Sequence, residues 1–197
     1  MNMIKDLPIY KAVINEMDEG ITAISFVKKP AVESNFIQFS KQKEVLKFSI
    51  LDETNRKVVA PIMRCDFPIY RYNEQVGEHY VIYDKQTIEV MARKMLADNV
   101  QNMNIEHNPN NRLIGCYLTE LFIKDTEKGI NPKGFEDIEN YSLFGVYTIE
   151  NNEAWENIQN GEWGGISLEG FFSFEEETEK ELLTDILNIL KELESSK

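Results

Sequence analysis

The sequence predicts an α+β protein, mainly an antiparallel β-barrel flanked by a few helices. Three observations predict it. Short runs rich in Val, Ile, Phe and Tyr recur along the chain, separated by Gly, Pro and polar clusters. Only three stretches carry helical periodicity. Strand and helix patterns do not alternate, which argues against a doubly wound α/β sheet. With 197 residues, 42% of them hydrophobic, the chain is long and apolar enough to bury a core.

In chain order, strands are expected over Tyr10–Ile14, Ile21–Val27, Val45–Leu51 and Lys57–Met63. Gly20, Pro30 and the polar stretch Asp52–Arg56 separate them. Further strands are expected over Tyr80–Tyr83, Asn104–His107, Leu113–Ile123, Tyr141–Ile149 and Ile166–Phe174. The first helix is expected over Lys85–Asp98, capped by Asp84. Its Ile88, Met91, Ala92, Met95 and Leu96 repeat at the spacing of one buried face. A short helix is expected over Glu153–Asn160, with Asn152 as its cap and Gly161 ending it in a left-handed turn. The polar stretch Asp125–Asn140, with two glycines and a proline, reads as a long mobile loop.

The third helix, over Thr178–Glu194, differs from the rest. Leu183, Ile186, Leu190 and Leu193 make an apolar seam. Residues 175–197 hold eight acids and three lysines, a net charge of −5. The chain is therefore divided into a body, 1–174, and an acidic amphipathic tail, 175–197. A terminal helix docked on its own body accounts for the seam, and so does a surface for a partner or a second copy.

The whole chain carries 21 basic and 34 acidic residues, a net −13. Such a balance opposes a nucleic-acid groove or an anionic membrane as partner. No apolar run reaches membrane-span length and the first residues lack a signal-peptide core. Two cysteines, Cys65 and Cys116, form no disulfide framework and suit a reducing interior. Phosphate-binding, dinucleotide-binding and HExxH zinc motifs are absent from the sequence. No cofactor or metal is called for. A His107, Cys116 and Glu120 metal set is conceivable because Cys116 and Glu120, four apart in a strand, would share a face. A Cys116 nucleophile is disfavoured by its apolar surroundings.

Chemistry has two foci. His107 lies near the end of an expected strand, before the turn-forming Asn108-Pro109. The other histidine, His79, reads as a surface residue. The second focus is Gly164-Gly165-Ile166-Ser167-Leu168-Glu169-Gly170. Glycines are unfavourable inside strands, so they mark either a bulge or a place where another backbone approaches closely. A serine nucleophile needs a base, and histidine is the usual one at neutral pH. Backbone N–H groups near Ser167 and Leu168 are candidates to hold the oxyanion. Candidates to orient the imidazole are Glu120, Glu106 and Glu169.

These segments also carry a family resemblance. Residues 20–36, Val59–Met63, Pro68–Arg71, Asn104–Asn108 and Gly164–Phe172 resemble, in order, segments of the XkdF-like phage serine proteases, relatives of the prohead proteases. The resemblance implies a fold akin to herpesvirus assemblin, with His107 as general base and Ser167 as nucleophile. Assemblins use a second histidine after the serine; this chain has none beyond position 107, so an acid is expected, and Glu120 is chosen. Gly164, Gly165 and Leu168 are the expected substrate- and oxyanion-adjacent positions. The resemblance further implies cleavage of scaffold and capsid-protein segments inside the assembling prohead, in the host cytoplasm. Scaffold, the major capsid protein and a second copy of the chain, as a homodimer or larger assembly, are the implied partners. The alternative is an inactive head-assembly protein that keeps the protease fold.

Overall fold

The computed structural model describes residues 7–14, 20–27, 49–73, 76–100, 103–105, 108–171 and 173–176. Twelve strands and two helices occur among them. The strands are β1 (Ile9–Val13), β2 (Gly20–Val27), β3 (Ser49–Asp52), β4 (Lys57–Met63), β5 (Ile69–Asn73) and β6 (Gly77–Ile82), followed by helix α1 (Lys85–Ala97). Then come β7 (Met103–Ile105), β8 (Asn108–Arg112), β9 (Cys116–Ile123) and β10 (Leu143–Ile149). Helix α2 (Asn152–Gln159), β11 (Gly165–Phe171) and β12 (Ser173–Glu176) complete the described chain. The expected terminal helix lies outside the described residues.

The strands make three four-stranded sheets, ordered β12-β1-β6-β5, β3-β4-β10-β9 and β11-β2-β7-β8. The α+β class and the mainly antiparallel pairing agree with the sequence reading; only β1–β6 and β2–β7 run parallel among the described strands. The closed barrel does not: the described strands form separate open sheets. β12 pairs with β1 as far as Glu176 opposite Tyr10, so the first residues of the acidic tail belong to a sheet of the body.

Local sequence explains the helices. The Asp84 carboxylate accepts the Thr87 N–H at 2.7 Å and ion-pairs with Lys11 at 2.7 Å. Burial works to raise the Asp84 carboxyl; the contacts from Lys11 and Thr87 outweigh it and hold it below the ordinary range. Thr87, Ile88, Met91 and Met95 form the buried stripe, whereas Leu96, expected in it, is two-thirds exposed. In α2 the cap is Asn151, one residue earlier than expected, and Gly161 takes φ +70° just beyond the end.

The main core joins the inner residues of all three sheets to α1 and α2. The sheet β3-β4-β10-β9 has a second apolar face, where Val59, Phe144 and Val146 pack with Phe135. Phe135 comes from the stretch expected to be a mobile loop. The structure pins this loop instead. The Lys124 ammonium, buried, donates to the carbonyls of Phe135, Glu136 and Ile138 at 2.8, 3.1 and 2.6 Å. Arg64 grips Glu139 through Nε at 2.7 Å and through a second guanidinium nitrogen. At the middle of β10, Gly145 leaves no room for a side chain: a Cβ there would stand 2.8 Å from the Tyr147 hydroxyl and from Leu118. No helix among the described residues is long and apolar enough to cross a membrane.

Candidate functional site

Three polar positions line up across the sheet β11-β2-β7-β8. Ser167 on β11 stands opposite Ser25 on β2, and Ser25 opposite Asn104 on β7. Their sequence neighbours Ile166, Ile24, Phe26 and Met103 are core residues, and Ile105 packs against the core. Phe26 stacks on Trp163 with ring centroids 5.4 Å apart. Side chains alternate across a strand, so Ser25 and Asn104 occupy the face away from that core. They are nonetheless buried, at 0% and 5% exposure. The Ser25 Oγ–H donates to Asn104 Oδ1 at 2.5 Å.

The glycine-rich segment opens β11: Gly165 pairs with Val27 at the end of β2, and Gly164 immediately precedes it. Leu168 stands opposite Ile24 and Glu169 opposite Ala23, with a bulge before Gly170. β11 is an edge strand among the described strands. Alternate N–H groups of an edge strand point away from its one neighbour, which suits a donor for an oxyanion in this segment. His107 and Glu106 lie outside the described residues. β7 ends two residues before His107 in sequence, with Ile105 paired to Phe26. Phe26 is also the partner of Ile166. The end of β7, the end of β2 and the start of β11 therefore share one end of the sheet.

Glu120 sits elsewhere. It lies on β9, in the sheet β3-β4-β10-β9, opposite Val146, half exposed and ion-paired with Lys57 at 3.0 Å. A register shift between Val146 and Tyr147, beside Thr119, breaks the alternation along β9. Cys116 is consequently buried while Glu120 is exposed, so the face-sharing behind the conceivable metal set does not hold. No group of three or more metal-binding side chains occurs among the described residues.

Burial pushes both thiols up to about 12; Asp66 adds to the effect at Cys65. Neither is a thiolate nucleophile at neutral pH. His79, expected at the surface, is buried at 4% exposure. Its Nδ1 lies 2.9 Å from the Gly77 carbonyl, which makes that nitrogen the donor, and its ring meets the edge of Tyr10. It is a satisfied structural residue on β6, an interior strand between β1 and β5. Sequence reasoning missed Ser25 and Asn104. A signal existed: each is a single polar residue flanked by apolar ones, Ile24-Ser25-Phe26 and Met103-Asn104-Ile105.

The chain belongs to the XkdF family of phage proteins. The family whose model matches is described as "Putative phage serine protease XkdF", over residues 66–176, more than half of the chain. The match takes in both the His107 and the Ser167 segments and begins after residues 20–36 and Val59–Met63. No curated protein and no solved structure matches the chain.

Proposed function

We propose that this protein is a serine endopeptidase of phage head maturation that cuts scaffold and capsid-protein segments. The observation that carries the reading is the family match across both motif segments, Asn104–Asn108 and Gly164–Gly170. The strand register supports it, since both segments adjoin the same end of one sheet.

In this reading Ser167 Oγ attacks the peptide carbonyl and its proton passes to His107. A backbone N–H near Ser167 or Leu168 holds the oxyanion, and Gly164 and Gly165 admit the substrate backbone. The imidazolium then protonates the leaving amine, and water releases the acyl group by the reverse sequence. Glu120 is the acidic candidate for orienting the imidazole, and it would have to leave Lys57 to do so. Cleavage should rise with pH as the His107 ring loses its proton, because the neutral ring is the base. The assemblin kinship, the location within the prohead and self-association belong to the same reading. So does a role for the tail, 175–197, as a contact for scaffold or for a second copy. Its net −5 charge and apolar seam support that role.

Intact mass over time tests the proposal, for wild type and Ser167→Ala, each with the phage's scaffold and capsid proteins. Fragments are expected from wild type alone. Full-length chains in both mixtures would remove the protease reading in favour of an inactive assembly protein. Glu120→Gln with undiminished cleavage would remove Glu120 from the mechanism.

A further inference from the structure

We propose that Ser25 and Asn104 form a positioning unit that ties the nucleophile strand to the segment carrying the base. The inference rests on the serine-protease reading above and adds to it two residues to which that reading gives no role. Ser25 lies outside the family match altogether.

β7 has little of its own to hold it to β2. It is three residues long and its pairing with β2 is parallel and covers only three positions. Its other neighbour, β8, is an edge strand among the described strands, so the three-residue parallel ladder is its backbone tie toward β11. Yet β7 is the last described element before His107. The buried bond from Ser25 Oγ to Asn104 Oδ1 adds a directional side-chain link between β7 and β2. It does so at the one position of β2 that stands opposite Ser167. Directly opposed residues in an antiparallel pair are the nearest cross-strand neighbours. One link therefore fixes β7, the strand that leads to His107, to β2 at the position paired with Ser167. An apolar pair of similar size would fill the same space, but without fixing direction. In this scheme Ser25 and Asn104 act through the placement of His107 and Ser167.

The test uses the full chain and a fluorophosphonate probe, which reacts with an activated serine and needs no natural substrate. Saturation kinetics, followed by intact mass, give the limiting phosphonylation rate and the half-saturating probe concentration separately. Thermal unfolding is measured alongside. Ser25→Ala and Asn104→Ala should each lower the limiting rate about 10- to 100-fold, the scale of a catalytic group displaced by an ångström. The half-saturating concentration should stay within about twofold, because the probe site is intact. Ser25→Thr keeps the hydroxyl and should recover the rate to within about threefold of wild type. A purely structural pair would lower the melting temperature or the fraction of protein that labels, and leave the limiting rate of the labelled fraction at the wild-type value; that result overturns the inference. Should Asn104→Ala fail to fold, Ser25→Ala, which loses one oxygen, decides alone. Labelling of wild type but not Ser167→Ala, together with wild-type rates in Ser25→Ala and Asn104→Ala, sinks the positioning unit and leaves the protease reading standing. An unlabelled wild type removes both.

Discussion

The sheets β3-β4-β10-β9 and β11-β2-β7-β8 each have one face in the main core, and they treat the other face in opposite ways. The first covers it with apolar matter: Phe135 is carried over Phe144 and Val146 by a loop that Lys124 and Arg64 hold in place. The second puts a hydrogen-bonded polar pair, Ser25 and Asn104, there. The buried hydroxyls of the two sheets differ likewise. Tyr147, on the core side of the first sheet, has no partner for its Oη among the described residues, while the Ser25 hydroxyl has one. The main-core face of the first sheet tolerates an unsatisfied atom for the sake of shape. A face on which function is proposed carries its polar groups in directional pairs.

This contrast can be broken at either sheet. The largest stability effect is expected from Gly145→Ala, whose Cβ would press on Tyr147 Oη and Leu118 at 2.8 Å and on Ile62 at 2.9 Å. Chemical denaturation should show a loss of about 2 kcal/mol, the ordinary cost of overpacking a tight core. The limiting phosphonylation rate of Ser167 should stay within about threefold, since Ser167 and β7 belong to the other sheet; a larger loss would point to Glu120, which lies opposite Val146 on β9. A smaller effect of opposite sign is expected from Tyr147→Phe. Removing a buried hydroxyl that lacks a partner should raise stability by about 1 kcal/mol. Combined with Gly145→Ala it should recover part of the loss, and strict additivity in that double-mutant cycle would deny the contact.

The smallest effect concerns the thiols. Cys65 and Cys116 are raised from 9.0 to about 12 in the fold, so the folded chain holds their protons more tightly than the unfolded one. Their contribution to stability is complete below about pH 9 and fades as the pH climbs from there toward 12. Native protein at pH 8 should leave both unmodified by a thiol reagent, and denatured protein should expose two. Rapid modification of the native chain would show that its main core is not closed around the two thiols.

Legibility in the sequence followed the same division. α1 was readable from Asp84 and the spacing of Ile88, Met91 and Met95, and β4 matched its expected bounds. Leu96 departed because one extra apolar position widened the predicted stripe beyond what the core covers. β8, Asn-Pro-Asn-Asn-Arg, carries no apolar alternation at all, and its Asn108-Pro109 reads as turn-forming; Pro109 is tolerated because β8 is an edge strand among the described strands. His79 looked exposed because its neighbours are polar, and only its position between β1 and β5 buries it. For the site, the glycines around Ser167 drew attention locally. The pairing of Ser25 with Asn104 spans 79 residues of sequence and depends on strand order, which local patterns do not encode.

The order of synthesis gives that strand arrangement a consequence in time. The row Ser25, Asn104 and Ser167 draws on residues near the beginning, the middle and the end of the described chain. β1, too, gains its outer neighbour only when β12 has been made. A nascent chain on the ribosome holds the middle strand of the row early, yet the row is incomplete until β11 has left the exit tunnel. Any cutting activity that depends on this row is thus withheld from the growing chain until β11 has been made and has paired with β2.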